Sequence, residues 1–278
     1  MNPRVSPLIY IGVFLVSAVA LGLEILMTRL MALMMWHHFT YVVIGVALLG
    51  FGAAGSWVML RPTGAPPGRR LARHALYLAL AVPISYTMIT SVRFAPLSLG
   101  EDPRNFVALL LIYVMIAVPF FFAGLVVCDA IQTFRERVGS VYFADLLGAG
   151  AGAAVAVGIM EATTAPGAVV LSGALAGLAS AAFALQGGIE LRKLIDALLA
   201  LGVVLVILFW VYPLARAGKL DPPLAPSKEL TMLEPTQTLE RSAWNPLARI
   251  DVSKELVIPP GMGGGFPKDT APRQMRFV

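Results

Sequence analysis

Two carboxylates and one guanidinium in this sequence fall where a protein least tolerates an unpartnered charge. Glu24 and Arg29 lie inside GLEILMTRLMAL, and Asp145 interrupts the apolar stretch VYFADLLGAGAG. Embedded in hydrocarbon, such a side chain costs about 2.5–3.5 kcal/mol on insertion scales, so each needs a partner or a task. Glu24 and Arg29 are five residues apart, and at 100° per residue they point about 140° away from each other. That is outside the i+3 and i+4 positions at which helical side chains meet, so a straight helix sends them to different neighbours. Two readings stay open for Glu24: structural pairing with another helix, or binding of a proton or cation. Asp145 follows Arg135 and Arg137 by only a few residues. It is expected at the boundary of its helix, pairing with a basic loop residue or acting as a cap, with a polar seam inside the bundle as the alternative.

The remaining polar residues suggest interfaces more than chemistry. His37 and His38 are adjacent, so their rings diverge on a helix. Beside Trp36 they fit an aromatic belt, and neither HExxH nor CxxC supports a metal site. Asp129 reads as an interfacial residue next to Cys128. Asp196 is four residues after Arg192 and is expected to pair with it, while Glu161 is expected at the opposite surface in water. One cysteine allows no intramolecular disulfide and no cysteine-based zinc site. GMGGG, from Gly261 to Gly265, sits among prolines as a flexible turn, without the strand or GK[ST] of a phosphate loop. No nucleophile with a base, paired catalytic carboxylates or cofactor fingerprint is present, so no catalytic residue, metal or cofactor is assigned.

The elements that position these residues follow from composition. With 58% hydrophobic and 13% charged residues among 278, the chain is about half as charged as a soluble domain. Its repeated apolar runs of about 20 residues match the thickness of a bilayer. The fold class is therefore an all-α integral membrane bundle of about seven helices: Leu8–Met31, Tyr41–Leu60, Ala75–Val92, Phe106–Ala130, Val141–Met160, Ala168–Leu185 and Leu194–Tyr212. Residues 1–213 form the membrane domain. Residues 214–278, rich in proline and charge, form a polar tail or the start of a soluble domain, with strand-like runs at ARIDV, ELVI and RQMRFV. Pro83 and Pro119 predict kinks.

Arg and Lys collect after the second span (Arg61, Arg69, Arg70, Arg73), the fourth (Arg135, Arg137) and the sixth (Arg192, Lys193). The positive-inside rule places those loops, and the N-terminus, in the cytoplasm. The expected location is a bacterial cytoplasmic, or inner, membrane. The net charge of +5 is accounted for by these loops and anionic lipid, so no nucleic-acid partner is implied. Helices in lipid are held by close backbone approach. Small residues that permit it occur as Gly148 and Gly152, as Gly173 and Gly177, and as Gly50, Gly52 and Gly55; all are expected to be packing seams for helices of this chain or of a partner.

Taken together, ALGLEILMTRLMAL, VALLGFGAAGSW, VPFFFAGLVVCDAIQTFRERVGSVYFADLLGAGAGA and WNPLARIDV resemble the multi-span membrane region of spermidine synthase-like proteins. The likeness covers nearly the whole chain and rests on the combination of E-x4-R, PFxxAG and YxADLxGAxxG. It marks Glu24, Arg29, Pro119, Gly124, Tyr142, Asp145, Gly148 and Gly152 as motif positions without an assigned role. The resemblance implies a polyamine aminopropyltransferase domain of Rossmann-like methyltransferase fold after the WNPLARIDV segment, expected to begin where this sequence stops, at Val278. None of that domain's residues can be placed here, and the chain alone is not expected to transfer aminopropyl groups. Three functions follow as expectations: the membrane module of such a protein, serving as anchor, scaffold or substrate-handling unit for a separate catalytic domain; a small transporter or ion-coupled carrier using Glu24, Arg29 and Asp145; and a structural subunit of a larger membrane complex.

Overall fold

A computed structural model describes residues 6–35, 37–60, 65–92, 94, 100, 102–186, 190–222, 239–244, 249–253, 256–258 and 273–275. The long helices are α1 (Pro7–Met34), α2 (His37–Leu60), α3 (Pro67–Ser91), α4 (Pro103–Thr133), α5 (Val138–Ala162), α6 (Ala165–Ala184) and α7 (Leu191–Val206). A single π-helical turn, Ile207–Val211, joins α7 to the short α8, Tyr212–Arg216. Among the described residues, six helices are long and apolar enough to cross a membrane, and α3 is the long helix that falls outside this set. The chain is a multi-pass membrane protein.

The reason α3 stands apart lies in its first two turns. The sequence reading starts this helix at Ala75, because Arg69, Arg70 and Arg73 are assigned to a loop. The helix instead begins at Pro67, which occupies the first helical position where its missing N–H costs nothing. Cations at a helix N-terminus oppose the macrodipole. Carboxylates from neighbouring helices compensate them, as described below.

The helices alternate in direction, and their contacts give the register. On α5, Gly148 lies against the backbone of Phe14 and Gly152 against that of Ala18; a Cβ on either glycine would overlap those α1 carbonyls. Both positions rise together along the two chains, so α1 and α5 are parallel. Gly50 of α2 faces α4 beside Pro119, where a Cβ would stand 2.8 Å from the Ala117 carbonyl oxygen. Gly124 of α4 faces Ala54 of α2, with 2.8 Å left to that methyl group. This α2–α4 seam therefore uses Gly50 and Ala54, four residues apart. Gly52 is exposed with no neighbour within 4 Å, and Gly55 meets only the Cys128 sulfur at 3.7 Å.

Helix α6 is the centre of the bundle, with 78% of its apolar window buried. Most of its residues are Ala, Gly, Ser or Val, so α1, α3 and α7 all approach closely. Gly173 and Gly177 serve two different neighbours. A Cβ on Gly173 would lie 3.0 Å from the Ala79 carbonyl oxygen of α3, the acceptor that Pro83 leaves without its helical N–H donor. Gly177 accommodates Val204 of α7. In the tail, β1 (Leu239–Trp244) pairs antiparallel with β2 (Arg249–Ser253), and β3 (Leu256–Ile258) with β4 (Arg273–Met275). Strands β2, β3 and β4 overlap the three strand-like runs of the sequence, and β1 lies where none was expected.

Candidate functional site

At the end of the bundle where the basic loops converge, Arg70 of α3 meets Asp129 of α4. The guanidinium donates from Nε to Asp129 Oδ2 at 3.0 Å and from Nη2 to Oδ1 at 2.5 Å, a bidentate pair. Its remaining donors reach the Ala65 carbonyl at 2.9 Å and Thr133 Oγ1 at 3.0 Å. Thr133 in turn donates to Asp129 Oδ1 at 3.2 Å. His74, one turn beyond Arg70, brings Nδ1 to 3.9 Å from Asp129 Oδ2. Asp129 is 2% exposed and Arg70 13%.

This corrects the interfacial reading of Asp129. The residue is buried and locks α3 to α4. A planar fork that matches a carboxylate, with two further N–H groups also hydrogen-bonded, is the geometry in which a buried pair is tolerated. The adjacent Arg69 reaches across to α7, with Nε 3.4 Å from Asp196 Oδ2. Asp196 thus pairs with α3 rather than with Arg192 on its own helix, because the two helix ends lie side by side. Ser180 of α6 donates to the Ala72 carbonyl at 2.7 Å and ties a third helix to the same end of α3. The sequence did carry a signal for this cluster: two adjacent arginines opening a span and an aspartate closing another within the last turns of its apolar run.

Asp145 takes the polar-seam alternative. It lies in the second turn of α5, half-buried, and accepts a hydrogen bond from Ser17 Oγ of α1 at 2.5 Å. The same helix pair carries the Gly148 and Gly152 contacts, so the carboxylate and the glycines form one continuous seam. Glu24 lies on α1 two turns beyond Ser17 and is half-buried, while Arg29 is exposed. Neither makes a hydrogen bond or ion pair with a described residue, and the structure does not bring them to each other. The side chains of His37 and His38 lie outside the described residues, as does GMGGG.

Among the described residues no group of three or more His, Cys, Asp or Glu gathers to hold a metal ion. Two of the cavities among the described residues lie between named helices. One of about 220 Å³ lies between α1, α5 and α6 beside Ala18, Gly152 and Ser172. The larger, about 950 Å³, is an apolar groove between α3 and α7. Arg69, Arg70, Asp129, Asp145 and Asp196 thus hold helices together, and the open space is hydrocarbon-like. Comparison with known families, with curated proteins and with solved structures finds no match for this chain.

Proposed function

We propose that this chain is the membrane-embedded anchor and scaffold module of a spermidine synthase-like protein, seated in a bacterial cytoplasmic membrane with its basic loops and N-terminus in the cytoplasm. One observation carries the reading: four of the eight motif positions that underlie the resemblance coincide with helix–helix contacts, while Arg29 and Tyr142 are exposed. Gly124 of PFxxAG receives α2; Gly148 and Gly152 of YxADLxGAxxG receive α1; and Asp145 of the same motif is hydrogen-bonded to Ser17 of α1. Residues used in this way specify an architecture. In lipid, where apolar surface alone gives helices no reason to associate, such contacts set which helices pair. The function of the bundle is then to hold a rigid platform at the membrane for a polyamine-handling catalytic domain.

A carrier is the second reading, and Glu24 favours it. A half-buried intramembrane carboxylate without a described partner is a place for a proton or cation. Reconstitution into proteoliposomes separates the two. For a scaffold, the purified chain gives no uptake of labelled putrescine or spermidine and no dissipation of an imposed proton gradient beyond empty vesicles. Flux that requires the chain and disappears in Glu24→Gln would overturn the scaffold reading. The same preparation is expected to form no spermidine from putrescine and decarboxylated S-adenosylmethionine.

A further inference from the structure

The 950 Å³ groove is bounded by α3, which carries Pro83 within it, and by α7 with its π-helical turn at Ile207–Val211. The same two helices meet at their basic ends through the Arg69–Asp196 contact. The walls are large branched or flexible apolar side chains, among them Leu80, Ile84 and Met88 of α3 and Ile195, Leu199 and Val206 of α7. Thr87 supplies a hydroxyl, but its proton goes to the Pro83 carbonyl at 2.8 Å. A partner helix gains most from small residues and interhelical hydrogen bonds. This groove offers Gly202 alone of the small residues, whereas an extended hydrocarbon chain needs only apolar walls.

Both walls also begin with a cation. At 100° per residue, the seven-residue steps from Arg73 to Leu80 on α3 and from Arg192 to Leu199 on α7 leave each pair about 20° apart. Each arginine therefore sits on the groove-facing stripe of its helix, at the basic end, and both are exposed. Guanidinium groups bind phosphate by paired N–H donors. We infer that the α3–α7 groove is a binding site for an anionic phospholipid, with one acyl chain laid between Leu80–Met88 and Ile195–Val206 and the headgroup phosphate held by Arg73 and Arg192. This site is independent of the scaffold reading.

Native mass spectrometry of the full chain, released from mild detergent with phosphatidylglycerol or with phosphatidylcholine of the same acyl chains, tests it. Wild type is expected to retain phosphatidylglycerol in preference to phosphatidylcholine. Arg73→Gln with Arg192→Gln should lower that preference about 30-fold, about 1 kcal/mol for each cation acting on an anionic lipid. Gly202→Phe, which fills the groove and leaves both arginines, should reduce retention of both lipids. Circular dichroism and a monodisperse elution profile establish that each variant is folded. Equal retention of the two lipids by wild type, or unchanged retention in folded Gly202→Phe, would overturn the site. So would a stable dimer whose cross-links place a second copy over α3 and α7.

Discussion

Asp129 is the residue whose loss should be felt most. With both oxygens engaged by Arg70 and 2% of its side chain exposed, substitution by Asn leaves a buried guanidinium without its counter-charge. Removing one partner of such a pair costs about 3–5 kcal/mol. Asp129→Asn and Arg70→Gln should each lower resistance to unfolding by that order in detergent denaturation monitored by helical circular dichroism, and the double variant should lose much less than the sum. Additive losses would show that the two side chains do not act as a pair. Ser17→Ala is the milder case. It removes one interhelical hydrogen bond to Asp145, a class of contact worth about 0.6 kcal/mol on average in a membrane bundle, and should move the transition only slightly. The Arg70–Asp129 pair was hard to see in the sequence because 59 residues separate the partners. Each looked complete as a boundary charge beside its own loop.

Between elements, the glycines divide by what stands opposite them. Gly152→Val should separate α1 from α5, because the Ala18 carbonyl occupies the space a side chain would need. Disulfide trapping between cysteines introduced on these helices, in a Cys128→Ala background, should fall sharply in that variant. Gly50→Ala should destabilise through the Ala117 carbonyl, whereas Gly52→Ala meets nothing within 4 Å and should be neutral or stabilising by up to about 1 kcal/mol through helix propensity. A Gly52→Ala penalty equal to that of Gly50→Ala would contradict this division. Composition identifies α2 as glycine-rich but is silent on which side of it α4 lies. The seam proves to be Gly50 with Ala54, and the more conspicuous Gly52 and Gly55 stand to the side.

Across the whole molecule, alternation of the helices sends Glu136, in the 3-10 turn before α5, and Glu161, in the last turn of α5, to opposite faces of the membrane. Both are exposed. Single cysteines at the two positions, without Cys128, should be labelled by an impermeant maleimide from opposite sides of sealed vesicles, and a cysteine replacing Arg192 should share the side of Glu136. Identical sidedness at 136 and 161 would remove α5 as a crossing. The sequence by itself determined that the chain is a multi-pass helical bundle, since apolar runs of bilayer length have no other stable arrangement once every backbone N–H must be satisfied within its own segment. It also located most helices to within a few residues, along with three of the four short strands of the tail, and missed β1. Only the tertiary structure decided which helices touch: that Asp129 belongs to Arg70, Asp196 to Arg69 and Asp145 to Ser17, and that α3 and α7 part to leave a groove. The physical reason is that span formation depends on local hydropathy and intrasegment hydrogen bonds, whereas pairing depends on where a carbonyl, a missing Cβ or a guanidinium from a distant segment arrives.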